Sequence, residues 1–183
     1  ESCFMAKDIK TYYEQSYIDN TLRLREVLQT LPSFTKDYFR AVEPTTSAKT
    51  RISYAYDIRV FFHFLIENNP IYHDYTTTQF TLQDLERVEP IDIEEYLEYL
   101  KVYKADDNQV ITNGEKGLAR KFSSLRSFYR YFYRHQMIEK NPTIFVDMPK
   151  LHDKAIIRLD IDEVALLLDY VENCGKELTG QKK

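Results

Sequence analysis

Six cations, Lys116, Arg120, Lys121, Arg126, Arg130 and Arg134, stand within one stretch that contains no Asp or Glu from Lys116 to Arg134. Ser123, Ser124 and Ser127 are interleaved with them, and so are Phe122, Phe128, Tyr129, Tyr131, Phe132 and Tyr133. Arginine offers a planar fork of donors and serine a short hydroxyl, a combination suited to polyanionic phosphate. A helix of about 10–12 Å diameter also fits the major groove of B-form DNA. Arg126, Arg130 and Arg134 recur every four residues, where like charges on one helix repel by about 0.2–0.5 kcal/mol per pair. The pattern needs a compensating negative charge from outside the stretch.

One source lies within the chain. From Leu82 to Asp107 nine acids (Asp84, Glu86, Glu89, Asp92, Glu94, Glu95, Glu98, Asp106, Asp107) face only Arg87, Lys101 and Lys104. Charge is therefore segregated along a chain whose net charge is -4. Composition leaves two readings open: a basic face that pairs with the acidic stretch or is solvated, and a basic face that meets phosphate.

The stretch must be held by a helix running from about Glu115 to His135. At about 100° per residue, Leu118, Phe122, Leu125, Tyr129, Phe132 and Tyr133 form its apolar stripe, and Lys116, Ala119, Arg120, Ser123, Arg126, Ser127, Arg130 and Arg134 a second side. Apolar spacing near 3.6 elsewhere predicts an all-α fold. A first helical arm spans about 6–30, and Ser33 caps a second short helix ending near Ala41. A helix over Ala48 to Asn68, capped by Thr46 or Ser47, places Tyr54, Ile58, Phe61, Phe62 and Leu65 inward. A polar loop covers Ile71 to Gln79, Thr81 to Asp84 form a helical turn, and Pro90 starts a helix over Ile91 to Tyr103. Asp106 to Gly114 read as a flexible connection. A short helical piece ends at Asn141-Pro142, and Asp160 caps a helix to Asn173 with Val164, Leu167, Leu168 and Val171 on its apolar face.

Hydrophobic residues make up 43% of the 183, enough to bury a core, and charged residues of mixed sign make up 30%. No apolar run approaches the roughly 20 residues of a membrane span, and no signal peptide pattern stands at the start, so a cytoplasmic protein is expected. Cys3 and Cys174 make neither a metal-ligand spacing nor a disulfide framework, and no metal or cofactor is expected. The fifteen tyrosines are read as core and hydrogen-bonding residues rather than nucleophiles, His135 as a cation at a helix end, His63 as exposed, and Glu94-Glu95 as a solvated face.

Six pieces, in order, resemble the N-terminal core-binding domain of tyrosine recombinases and phage-type integrases. Thr50, Tyr54, Asp57-Ile58 and Phe61-Phe62 match the spacing of the family's first core helix, and Ile91 to Leu100 resembles the family's Ile-x-x-x-Tyr-Leu segment. Arg120 to Phe132 is similar to the family's Arg-Lys-Leu-Ser-Ser-Leu-Arg-x-Phe-Tyr-x-Tyr-Leu pattern. Ile138 to Pro142 resembles Ile-x-x-Asn-Pro, Met148-Pro149-Lys150 a linker, and Leu159 to Val164 the opening of the catalytic domain. The long arm and the tyrosine-containing loop look most like Xer-type recombinases that work alone.

The resemblance implies a SAM-like bundle of four to five helices, divided as an arm over 1–44, a core-binding domain over 45–145, a linker over 146–158 and the start of a catalytic domain over 159–183. It implies double-stranded DNA as partner, other recombinase subunits in a tetramer, and no membrane. Carried onto this sequence, the DNA-binding residues are Lys49, Arg51, Lys116, Arg120, Lys121, Ser123, Arg126, Ser127 and Arg130. Arg120, Ser123 and Ser127 are expected at base edges, and Lys49, Arg126 and Arg130 at phosphates. The family cleaves DNA with a tyrosine, supported by arginines and a His-x-x-Arg motif. None of His63, His73, His135 and His152 begins that motif, so no catalytic residue is assigned and this stretch is expected to be inactive alone. The alternative is a helical protein-interaction module that uses its basic face or its arm for assembly.

Overall fold

The structure, a computed structural model, describes residues 11–105, 107–150, 162, 164–166 and 168–171. Helix α1 (Tyr12–Gln29) is followed by α2 (Thr35–Val42) and α3 (Ala48–Asn68). Two short helices, α4 (Leu82–Arg87) and α5 (Pro90–Tyr99), lead to a hairpin of β1 (Val102–Lys104) and β2 (Val110–Thr112). The long α6 (Glu115–Arg134) closes the bundle, and a 3-10 turn, Pro142–Phe145, follows it.

Local chemistry sets these boundaries. Thr11 caps α1 reciprocally with Glu14, and Ser47 caps α3 by accepting from the Thr50 amide, each satisfying amides that the first turn leaves open. Thr81 with Asp84 and Glu89 with Asp92 do the same for α4 and α5. Helix α6 stops where Gln136 takes φ 54, which lets the Met137 amide donate to the Phe132 carbonyl at 3.0 Å.

The core is aromatic. Phe61, Phe62, Tyr96, Phe122, Phe128, Tyr129 and Phe132 are fully buried, and many of the rings meet edge to face, among them Phe61 and Tyr96 at 5.1 Å and Phe128 and Phe132 at 5.0 Å. Tyr72, Tyr96 and Tyr129 donate their hydroxyls to the carbonyls of Asp84, Asp57 and Leu85. These phenols hold the core together, and burial raises the pKa of each.

Several expectations change on contact with the fold. Asp107 to Thr112 belong largely to the hairpin, with Tyr103 opposite Ile111 and Asn108 in the left-handed region at φ 61. Its strands are three residues long, too short for an alternating pattern to show. The hairpin is fastened by Asn113, which donates to the Leu100 carbonyl at 2.7 Å. Helix α2 begins at Thr35 without a Ser33 cap, and Asn141 caps the turn that follows it instead of ending a helix. His63 is half-buried.

Helices α1 and α2 belong to the same compact unit as α3 to α6. Leu24 and Val27 of α1 are buried, and Arg23 donates to the Tyr56 hydroxyl of α3 at 2.7 Å. The second unit is described only at 162, 164–166 and 168–171, all helical, where Val164, Leu168 and Val171 are exposed. The expected Asp160 cap, Leu167, the arm before residue 11, both cysteines and the domain boundary at 158–159 lie outside the described residues.

Candidate nucleic-acid interface

Helix α6 buries Leu118, Lys121, Phe122, Ser124, Leu125, Phe128, Tyr129 and Phe132. That stripe is turned toward Phe128 relative to the expected one, because Phe34 and Tyr38 pack on Phe128 at ring distances of 6.3 and 5.3 Å. Tyr133, expected inside, is consequently 45% exposed.

The exposed side of α6 opens onto a shallow groove of about 640 Å³. Ser123, Arg126, Ser127, Arg130 and Arg134 line it from α6, Tyr54 from α3, and Asn141, Thr143 and Met148 from the segment beyond. Among the described residues, Arg126, Arg130 and Arg134 have no carboxylate partner. The Arg126 guanidinium lies over the Phe122 ring, its Cζ 5.5 Å from the ring centre, a cation–π contact that engages its face and leaves its N–H edge without a carboxylate among the described residues. Lys49 and Lys116 are exposed in the first turns of α3 and α6. Glu94, Glu95 and Glu98 of α5 are exposed as well, and Arg120 and Lys121 of α6 pair with Asp57 of α3.

Three of the expected contact residues are engaged by partners within the fold, two of them buried. Arg51 is buried, donates to the carbonyls of Glu43 and Thr46 at 3.0 and 2.9 Å, and lies 3.7 Å from the Glu43 carboxylate. It ties the start of α3 to the 3-10 turn Glu43–Thr45 before it. Lys121 is buried with its Nζ 3.0 Å from Asp57 Oδ1. Arg120 is half-exposed, but both terminal nitrogens of its fork donate to Asp57, at 2.9 and 3.0 Å. The paired guanidinium cannot also grip a base edge with that fork.

Asp57 is the residue that sequence reasoning missed. It is the lone acid between Ala48 and Ile66, set among apolar neighbours, and an acid in that position needs a buried cation. Arg134 and Tyr54 likewise line the groove although neither was singled out as a contact. His135 receives no role in the groove's chemistry: its Nδ1 is 2.8 Å from the Tyr131 carbonyl at the helix end. Among the described residues no cluster of His, Cys, Asp or Glu could hold a metal, and no helix is long and apolar enough to cross a membrane.

Comparison with known proteins agrees with this architecture. Residues 35–136 match the phage integrase N-terminal SAM-like domain, a span that begins at α2 and ends just after α6. The tyrosine recombinase XerC of Caldanaerobacter subterraneus is 32% identical over 145 residues, covering 77% of this chain and 40% of that protein. XerC of Pediococcus pentosaceus is 34% identical over 124 residues, 68% of this chain and 35% of the relative, and XerC of Leptospira interrogans is 25% identical over 139, 75% and 38%. The chain thus spans about two fifths or less of the length of these curated relatives. No solved structure matches it. A mostly helical bundle with a phage-integrase SAM-like domain over more than half its length, and Xer relatives along three quarters of it, places this chain in the tyrosine recombinase family, of the Xer type.

Proposed function

We propose that this chain is the DNA-gripping N-terminal part of a site-specific tyrosine recombinase, holding duplex DNA against the α6 groove. One observation carries the reading: Arg126, Arg130 and Arg134 share a groove with Ser123 and Ser127 and have no carboxylate partner among the described residues. Three neighbouring guanidinium groups in that state repel one another, and a phosphate backbone relieves the repulsion. Lys49 and Lys116 extend the cationic set, while Arg51 and Lys121 leave it and Arg120 contributes only the donors that Asp57 does not engage. Arg126, Arg130 and Arg134 hold phosphates, and Ser123 and Ser127, with short side chains, let α6 approach the duplex closely.

The strand-cleaving chemistry is assigned elsewhere, because no histidine of the chain stands in the His-x-x-Arg motif the family uses. The chain works in the cytoplasm, on DNA, beside further recombinase subunits. The XerC relatives are named as tyrosine recombinases, which supports the reading. A mobility-shift titration tests it. The wild-type chain is expected to retard duplex DNA at low salt, and Arg126→Glu with Arg130→Glu to abolish the shift while far-UV circular dichroism is unchanged. Equal retardation by both proteins overturns the proposal.

A further inference from the structure

The groove has a support that its cation pattern does not reveal. Tyr38 of α2 is fully buried, with its ring edge-on to Phe39, Phe128 and Tyr131 at 5.1, 5.3 and 5.8 Å. Its hydroxyl donates to Ser127 Oγ at 3.0 Å, across 89 positions of sequence. A phenol is the stronger acid of the two hydroxyls and so the better donor. Burial pushes the Tyr38 phenol up to about 12, so it stays protonated at neutral pH.

A serine hydroxyl has one proton and two lone pairs. With one lone pair of Ser127 taken by the phenol, its proton must go elsewhere, and it donates to no described residue. Ser124, on the buried side of the same helix, behaves differently and donates to the Lys121 carbonyl at 2.8 Å. Ser127 stands on the groove wall between Ser123 and Arg130. We infer that Tyr38 is a positioning residue for the duplex: it fixes the Ser127 hydroxyl as an outward donor to an acceptor on the DNA. Helix α2 thereby takes part in recognition without touching DNA.

The inference rests on the proposed DNA grip, and a mutant cycle on the 183-residue chain separates the two. Fluorescence anisotropy with a labelled duplex is measured for the wild type, Tyr38→Phe, Ser127→Ala and the double variant. Each single variant is expected to bind roughly five- to tenfold more weakly, and the double variant no more weakly than Ser127→Ala alone. The salt dependence stays as in the wild type, since no charge is removed. Tyr72→Phe serves as the structural control: its hydroxyl bonds a backbone carbonyl in the core, so it should lose stability and keep its affinity. If Tyr38→Phe binds like the wild type, or its loss multiplies with that of Ser127→Ala, the inference fails while the grip stands. If Tyr72→Phe loses as much affinity as Tyr38→Phe, the effect is general loosening and the inference fails too. A wild-type chain that binds no duplex overturns both.

Discussion

Replacing Asp57 by Ala should be among the most damaging single changes in the bundle. Its carboxylate is 2% exposed and accepts from Lys121 at 3.0 Å and from both ends of the Arg120 fork at 2.9 and 3.0 Å. The two cations respond differently to its loss. Arg120, with its side chain half in solvent, turns outward, and its share is that of a surface pair, about 0–1 kcal/mol. Lys121 is 7% exposed and among the described residues keeps the Tyr103 ring, 5.9 Å away, so it is left as a buried charge without a carboxylate there. Breaking a buried pair in this way destabilises by about 3–5 kcal/mol, a large part of the stability of a domain this size. Lys121→Met alone leaves Asp57 held by Arg120 and should lose about 1–2 kcal/mol. The double variant Asp57→Ala with Lys121→Met removes the stranded charge and should be more stable than Asp57→Ala. Urea unfolding of the four proteins with a common m-value measures this. A loss below about 1 kcal/mol for Asp57→Ala, or strictly additive losses in the double variant, refutes the reasoning.

Two further predictions concern residues whose roles the fold reassigns or fixes. Arg51→Ala should destabilise by about 2–3 kcal/mol, because a charged donor to two carbonyls is lost, and should leave duplex affinity unchanged in the molecules that remain folded. Alkaline pH should unfold the protein through its tyrosines. Burial raises Tyr38 and Tyr72 to about 12 and holds Tyr96 and Tyr129 well above their ordinary value, so the stabilisation is complete below the unfolded tyrosine value near 10 and is lost as pH rises toward and through the folded values. Tyr38 alone accounts for about 2–3 kcal/mol of this. Thermal melts between pH 8 and 12 with phenolate absorbance followed together check it; a constant melting temperature across that window contradicts it.

The helices were legible where one signal governed them. The Ser47 cap and the break after Asn68 bound α3 as read from sequence, and α6 ends one residue before the expected His135. The hairpin escaped because each strand offers three residues and because Asn108 adopts a left-handed conformation that sequence permits without demanding. Ser33 was a reasonable cap on type alone, yet Thr35 opens α2 after a turn in which its hydroxyl donates to the Pro32 carbonyl.

The site was legible in composition more than in detail. A helical wheel separates a polar side from an apolar side but does not say what packs on the polar one. Asp57, on another helix, removes Lys121 from the surface and occupies the Arg120 fork. Tyr38 arrives from α2 and takes a lone pair of Ser127. Both partners are far away in sequence, and neither was visible from the spacing of the stretch they modify.

The salt dependence of duplex binding is the sharpest test of the proposed grip. Five cations outside the internal ion pairs, Lys49, Lys116, Arg126, Arg130 and Arg134, give a fall in log K of about 4.5 per tenfold rise in salt, at about 0.9 for each phosphate neutralised. Arg130→Ala should lower that slope to about 3.6, while Lys121→Met, buried and already paired, should leave it near 4.5. Binding that does not respond to salt, or a slope that falls as much for Lys121→Met as for Arg130→Ala, rules out a phosphate grip by the α6 groove.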